Sequence, residues 1–269
     1  MKKKRIIPIL LLKNGWLVQS KFFKEYQNLG NPITAVKRLS EWASDEMIYL
    51  DISKNEHYDL KRDDQRYPNR NNFIEIIKDI SKLTFMPITV GGKISSLQDI
   101  NTRLINGADK ICINTIAIEN NNFVKQASKE FGSQCIVLSI DVELIDKKYY
   151  VYSHKYKKIL DLDPLEYAKK MQDLGAGEIL LNCIYNDGKG KGYDIDILKK
   201  FCSELAIPII AAGGVGDWSH FSDALENTNV DAVAAANIFH YKDQSVYLAK
   251  KYIFEKGLNV RRPTIIKIN

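Results

Sequence analysis

The stretch Pro208–Gly216 reads PIIAAGGVG, a short apolar run that leads into two adjacent glycines. A run of this length is too short for a helix and is typical of a buried strand. Glycines after a strand leave backbone N–H groups open to an incoming anion, because no Cβ blocks the approach and positive φ costs little. The same pattern recurs as PITVGGKI at Pro87–Ile94, which indicates a larger internal repeat.

The repeat covers both halves of the chain. Gly91 and Gly213 are 122 positions apart, whereas the matching segments around Glu46 and Glu178 are 132 positions apart. The difference of ten residues places an insertion in the first half of the chain. The charged segment of about residues 53–72 is the predicted insertion.

Each half of the sequence contains four predicted strands that alternate with helices. This alternation is typical of parallel βαβ units in an α/β protein, and eight such units in about 250 residues predict a (β/α)8 TIM barrel. A doubly wound sheet is the alternative. The equal halves and the lack of a dinucleotide-binding fingerprint favour the barrel. We therefore expect residues 1–269 to form one barrel domain of two similar half-barrels.

Three segments give more local predictions. Residues 13–31 predict a polar loop after the first strand, with a turn at Asn14-Gly15. Residues 120–131 predict one helix, and residues 147–158 predict a hairpin-like excursion after the fifth strand.

Composition excludes several classes of protein. The net charge of +6 comes from 39 basic and 33 acidic residues spread along the chain, without an arginine-rich tract that would indicate nucleic acid. No apolar run approaches the roughly 18 residues of a membrane span, and the apolar run after the basic N-terminus is too short for a signal peptide. We expect a cytoplasmic protein.

The cysteines show no spacing typical of a metal site. They predict free thiols in a reducing compartment, and we expect neither a metal nor a cofactor. The four are Cys112, Cys135, Cys183 and Cys202.

Chemistry in a (β/α)8 barrel takes place at the C-terminal ends of the strands. Two glycine turns there predict two anion-binding sites, and hence a small molecule with two phosphate groups. Alternatively, the glycines serve only tight strand-to-helix connections. The predicted phosphate- and substrate-binding residues are Asp51, Gly91, Gly92, Lys93, Asn114, Thr115, Asp187, Gly188, Gly213, Gly214, Ala236 and Asn237.

Motifs along nearly the whole chain resemble those of the HisF family, the cyclase subunits of imidazole glycerol phosphate synthase. They include Arg5-Ile-Ile-Pro, Lys13-x-Gly15, Asp45-Glu-x-x-x-Leu-Asp51, Gly107-Ala-Asp-Lys110, Gly175-Ala-Gly-Glu-Ile-Leu-Leu181, Asp187-Gly188 and Ile238-Phe-His240.

The resemblance implies a barrel with two phosphate sites and a glutaminase partner, HisH, which supplies ammonia at the N-terminal end of the strands. It also implies a ring of four charged residues where ammonia enters. These map to Arg5, Glu46, Lys110 and Glu178. Considered without the resemblance, the same four residues predict a salt-bridged plug that only closes the barrel.

Two aspartates carry the cyclisation in the HisF family. Asp141 matches the second, but Leu11 stands where the family has the first. Proton transfer by a placed side chain accelerates a reaction about 10²–10⁴-fold, so this loss should nearly abolish cyclisation. Two further departures are Gln19 in place of a loop lysine and Lys93 in place of a glycine. Asp141 could alternatively only bind an N–H group at the mouth.

The Leu10-Leu11-Leu12-Lys13 start is similar to HisF-like proteins of surface-polysaccharide biosynthesis. This resemblance implies ammonia supply to a separate sugar amidotransferase that makes an acetamidino group on a nucleotide sugar. That role is the leading hypothesis from the sequence. Alternatives are a true cyclase of histidine biosynthesis and a scaffold that activates a glutaminase without conducting ammonia.

Overall fold

The computed structural model describes residues 2–21, 25–58, 70–241 and 243–265. In chain order the strands are β1 (Arg5–Lys13), β2 (Trp16–Lys21), β3 (Glu25–Gly30), β4 (Met47–Asp51), β5 (Ile88–Gly91), β6 (Lys110–Ile113), β7 (Ile136–Ile145), β8 (Lys148–Ser153), β9 (Lys158–Ile159), β10 (Glu178–Cys183), β11 (Ile209–Ala212) and β12 (Ala232–Ala235). The helices are α1 (Pro32–Glu41), α2 (Phe73–Ile80), α3 (Leu97–Ile105), α4 (Thr115–Glu119), α5 (Asn122–Phe131), α6 (Pro164–Asp173), α7 (Ile195–Glu204), α8 (Trp218–Asn227) and α9 (Ser245–Glu255).

Eight parallel strands close into a barrel. They pair in the order β1, β4, β5, β6, β7, β10, β11, β12, and β12 pairs back with β1. The two halves join where β6 pairs with β7 and where β12 pairs with β1. Within the second half β7 pairs with β10, with Asp141 opposite Asn182. The closed parallel barrel confirms the predicted (β/α)8 fold and rules out an open doubly wound sheet.

Helix boundaries follow ordinary capping chemistry. Asn31 and Asp163 each accept hydrogen bonds from the first turn of a helix that begins with proline. Asp194 caps α7 in the same way. Proline suits the first helical position because its fixed φ fits the helix and its missing N–H would be unpaired there. Among the described residues, no helix is both long and apolar enough to cross a membrane.

A small apolar cluster fills the inside of the barrel, separate from the larger core between the barrel and its helices. We call it the lumen cluster. Because side chains alternate along a strand, its members come from every second strand position. They are Ile7, Ile48, Cys112, Val137, Leu180, Ile210, Ala212, Ala232 and Ala234, with Ile9 and Leu50 packed against them.

The polar loop predicted for residues 13–31 is wrong, because β2 and β3 form an antiparallel extension of β1. Lys13 pairs with Trp16 across a turn at Asn14 and Gly15, which both have positive φ. Asn-Gly is the favoured two-residue hairpin turn, since both positions need positive φ. The sequence therefore contained the signal for this hairpin.

Two further local predictions are confirmed. The helix predicted over residues 120–131 is α5, which begins at Asn122, and the short helix α4 before it was not predicted. The excursion predicted for residues 147–158 is confirmed, because β8 pairs antiparallel with β7. Most of the predicted insertion, residues 59–69, lies outside the described residues.

The structure also corrects the register of the repeat at the glycine turns. Gly91 ends β5 as Ala212 ends β11, so Gly92 corresponds to Gly213 and Lys93 to Gly214. A Cβ on Gly92 would lie 2.1 Å from the carbonyl oxygen of the preceding strand, and one on Gly213 would lie 2.6 Å from its equivalent. Tight packing against the neighbouring strand thus explains the first glycine of each turn.

We expect Gly92→Ala to lower the free energy of unfolding by about 3 kcal/mol, because it combines a positive φ with a backbone clash. Gly257→Ala is the matched control, since its φ is +80° but its added Cβ would meet open space. It should cost about 1 kcal/mol. Urea denaturation of both variants measures the difference, and equal losses would contradict the packing explanation.

Candidate functional site

Four charged side chains meet at the N-terminal ends of the barrel strands, and each cation contacts both anions. Arg5 Nη1 lies 2.6 Å from Glu46 Oε2, and Arg5 Nη2 contacts Glu178. Lys110 Nζ lies 3.0 Å from Glu46 Oε2 and 2.9 Å from Glu178 Oε2. Thr89 donates a further hydrogen bond of 2.7 Å to Glu46. We call the four charged residues the charge ring.

The charge ring is desolvated on its anionic side, with the side chain of Glu46 only 2% exposed. Burial by itself would raise the pKa of Glu46, but the charges of Lys110 and Arg5 outweigh it and lower that pKa. Burial likewise opposes the charge on Arg5, yet Glu178 and Glu46 raise its pKa overall. Two cations and two anions therefore sum to no net charge and close the end of the lumen.

Above the charge ring, the lumen is lined by apolar side chains. On β1, Ile7 and Ile9 share the face of Arg5, since alternate residues point the same way. Ile48 and Leu50 follow Glu46 in the same manner on β4. The wall is therefore mostly apolar between the charge ring and the C-terminal strand ends, which we call the mouth, with Ser139 of β7 as a polar inward position.

Asp141 is the buried acid of the mouth, at 6% exposure. Asn114 Nδ2 donates to its Oδ2 at 2.8 Å, and Asn182 Nδ2 donates to its Oδ1 at 2.6 Å. Burial raises the pKa of Asp141, while His154 and the two amides act to lower it. The carboxylate is thus held in a fixed orientation and is more basic than an exposed aspartate.

His154 was given no role by the sequence, because the four histidines are scattered along it. In the structure its Nε2 lies 3.5 Å from Asp141 Oδ2. The β7–β8 hairpin explains the approach, since Val142 pairs with Val151 and the chain then returns to the mouth. The predicted hairpin was the available signal, because its antiparallel register brings residues after Val151 back beside Asp141.

Leu11 occupies the mouth end of β1. It lies on the strand face of Arg5 and Ile7, and it pairs in register with Leu50 of β4. Leu11 and Leu50 are both apolar, so neither β1 nor β4 contributes an acid to the lumen face at this side of the mouth. Leu11 therefore brings an apolar side chain to the mouth where the family resemblance implies an aspartate.

The first glycine turn holds an ion pair. Lys93 Nζ lies 3.1 Å from Asp51 Oδ2 and also contacts the Asn55 carbonyl. Asp51 further accepts hydrogen bonds from Ser53 N at 2.9 Å and from the Tyr58 hydroxyl at 3.2 Å. Lys93 was predicted to offer a cation to an anionic ligand, but here its charge is already paired with Asp51.

The second glycine turn is supported from the neighbouring loop. Gly192 N donates to Gly214 O at 2.8 Å, and Gly213 and Gly214 both have positive φ. Asn237 Nδ2 donates to the Ser20 carbonyl at 2.6 Å, so this side chain ties the β2–β3 hairpin to the mouth. No ion pair fills this turn among the described residues.

The remaining predicted residues lie around the same rim. Thr115 begins α4 directly after Asn114, and Ala236 follows β12. Asp187 and Gly188 follow β10, and the charge of Asp187 adds to burial in raising the pKa of Tyr26 on the β2–β3 hairpin. The predicted set therefore gathers at one end of the barrel, opposite the charge ring.

The protein is therefore a closed (β/α)8 barrel with a ring of ion pairs at one end and a buried acid at the other. The chain belongs to the family described as histidine biosynthesis protein, whose sequence profile matches residues 5–245. The predicted family resemblance is thereby confirmed.

Relatives match over almost the full length. The chain is 37% identical over 263 residues to the imidazole glycerol phosphate synthase subunit HisF of Staphylococcus carnosus, which covers 97% of this chain and 99% of that protein. It is 39% identical over 261 residues to the subunit of the same name from Dehalococcoides mccartyi, with the same coverage.

Because folding lowers the pKa of Glu46 from its ordinary 4.5, the carboxylate should stabilise the protein above that pH and lose this effect as the pH falls below it. We expect Glu46→Gln to cost about 3 kcal/mol at pH 7, since it leaves two partly buried cations with one buried anion. The difference in the free energy of unfolding between this variant and wild type should become smaller at pH values below 4.5. Urea denaturation at pH 7 and at such an acidic pH measures this difference.

Glu204→Gln is the matched control, because Glu204 forms an ion pair with Lys169 while remaining half exposed. Its stability should follow that of wild type at both pH values. A gap for Glu46→Gln that stays constant or widens at low pH would contradict the predicted direction.

Proposed function

We propose that this protein is a HisF-type subunit that receives ammonia from a HisH-like glutaminase at the charge ring and passes it through the lumen to a phosphorylated acceptor at the mouth. One observation carries the proposal. The charge ring, the lumen cluster and Asp141 follow one another from the N-terminal to the C-terminal ends of the strands along the inside of one barrel.

The lumen suits ammonia for a physical reason. An apolar wall imposes a large desolvation cost on ammonium or any other ion, but a small cost on a neutral molecule. Since the charge ring is closed, ammonia could enter only after at least one of its ion contacts opens. The four contacts leave no charge unpaired, so entry would depend on a transient rearrangement rather than on a permanent hole.

Two acceptors remain as candidates, with different support. The relatives are named imidazole glycerol phosphate synthase subunit HisF, which favours the cyclase role over the sugar role preferred from the sequence. Asp141 and the neighbouring His154 also provide titratable groups at the mouth. We therefore place the cyclase acceptor first.

Leu11 is the specific observation that favours the second acceptor. Without a carboxylate at that position, ammonia could instead serve a separate amidotransferase that modifies a nucleotide sugar for surface-polysaccharide biosynthesis. With either acceptor, we propose that the protein binds a HisH-like glutaminase and is located in the cytoplasm.

The surface around the charge ring suits a protein partner. Phe85 and Ile105 lie just before β5 and β6, hence at the ring end of the barrel, and their side chains are 81% and 72% exposed. Exposed large apolar residues near a functional opening are typical of an interaction site. We propose this surface as the glutaminase contact.

Phe85→Asp should weaken glutaminase binding at least about tenfold, because it places a charge in the apolar contact. Ile145→Asp is the matched control, since Ile145 is also exposed but lies on the β7–β8 hairpin at the mouth end. Titration calorimetry with the purified glutaminase measures both. Equal weakening by the two variants would place the contact elsewhere.

Passage through the charge ring is tested with Arg5→Trp and Arg5→Met. Both remove the same positive charge, but only the indole is bulky enough to fill the opening. With the histidine-pathway ribonucleotide as probe acceptor, we expect Arg5→Trp to lose product formed from glutamine while keeping product formed from added ammonium. Arg5→Met should retain both.

The glutaminase rate is recorded alongside product formation. Hydrolysis that continues in Arg5→Trp without glutamine-dependent product would indicate uncoupled ammonia. Full coupling in that variant would instead support a scaffold that activates the glutaminase without conducting ammonia.

A further inference from the structure

The mouth contains a histidine–aspartate contact on β7 and its hairpin, across the barrel from Leu11 of β1, which stands where the family has a carboxylate. His154 Nε2 lies 3.5 Å from Asp141 Oδ2, and Asp141 lies at the top of the inward face of β7. The imidazole is 42% exposed at the side chain, whereas the carboxylate is 9% exposed. Asp141 therefore faces the lumen exit, whereas His154 faces solvent at the mouth.

Neighbouring contacts hold the imidazole in place. The ring of Tyr152 meets it edge-on, with centroids 5.0 Å apart and planes at 76°. The following turn is fastened to α4, because Lys155 Nζ and the Tyr156 hydroxyl both contact Glu119, the latter at 2.6 Å. His154 is thus carried on a braced hairpin turn.

We propose that Asp141 and His154 form a proton-transfer pair for the addition of ammonia to a phosphorylated carbonyl acceptor. In this pair His154 takes the part of the acid that Leu11 does not supply. The inference rests on the proposed function, because it requires ammonia to reach the mouth.

The pair accounts for both protons of the addition. The ammonia nitrogen forms a bond to the carbonyl carbon, and the π electron pair moves to the carbonyl oxygen. Asp141, on the lumen side, takes the surplus proton from nitrogen, and the imidazolium of His154 gives a proton to oxygen. The product is a carbinolamine, and loss of water from it leaves a carbon–nitrogen double bond.

Other titratable groups around the pair are accounted for. Cys112 lies below Asp141 on β6, and burial followed by the charges of Asp141 and Glu178 raises its pKa to about 12. Lys155 and Glu119 form their own ion pair on the far side of the turn. Asn114 and Asn182, the direct amide partners of Asp141, do not titrate.

The test measures imidazole glycerol phosphate formed from ammonium and the histidine-pathway ribonucleotide. We expect His154→Gln to lower kcat about 100-fold or more with little change in KM, because only proton transfer is lost. The pH profile of the rate should also differ from that of wild type, because one of the two proton-transfer groups is removed. Leu11→Asp/His154→Gln should recover much of the rate, since it restores a carboxylate.

Chemical rescue separates a chemical role from a structural one. His154→Gly leaves space at an exposed position, so added imidazole should restore a large part of its activity. His57→Gln is the control, because His57 is an exposed histidine remote from Asp141 in the chain. It should keep the wild-type rate and pH profile.

Three results would overturn the proposal. A wild-type rate in His154→Gln, or no rescue of His154→Gly by imidazole, would leave the histidine without a chemical role. Absence of product from the wild-type chain would also reject the pair. The glutaminase partner's affinity for wild type and Phe85→Asp is measured without any acceptor, so failure of the pair and failure of the proposed subunit role remain distinguishable.

Discussion

Every second residue of a strand in a closed barrel points into the lumen, and this alternation decides where the protein places its charges. On β1 the inward positions run from Arg5 through Ile7 and Ile9 to Leu11. On β10 they run from Glu178 through Leu180 to Asn182. A shift of one residue in either strand would turn the charged ends out of the lumen, so the site depends on strand register.

The sequence predicts the large features of this arrangement because they are periodic. The repeated strand–helix units and the paired glycine turns identify the barrel, and the strand ends identify most of the rim. The β2–β3 hairpin was missed although Asn14-Gly15 signals it, because residues 13–31 read as polar overall. Where the local sequence pattern is weak, as in this hairpin, long-range packing determines the secondary structure.

Side-chain partnerships were less accessible from the sequence. The sequence predicts Lys93 as a cation for a ligand. The fold instead places it beside Asp51, which lies more than forty positions earlier in the chain. His154 and Asp141 are separated by a hairpin whose register no composition argument fixes. Such contacts depend on tertiary distances of a few ångströms, whereas a sequence pattern specifies only the element on which a residue lies.

The neutrality of the charge ring has a consequence for selectivity. Two cations and two anions alternating within about 3 Å of one another cancel beyond a short distance, so the opening projects little long-range field. If the charge ring admits ammonia as proposed, discrimination between solutes would come from dehydration at close range rather than from attraction in bulk solution. Passage through such an opening should vary little with ionic strength, unlike entry into a site that steers its ligand by net charge.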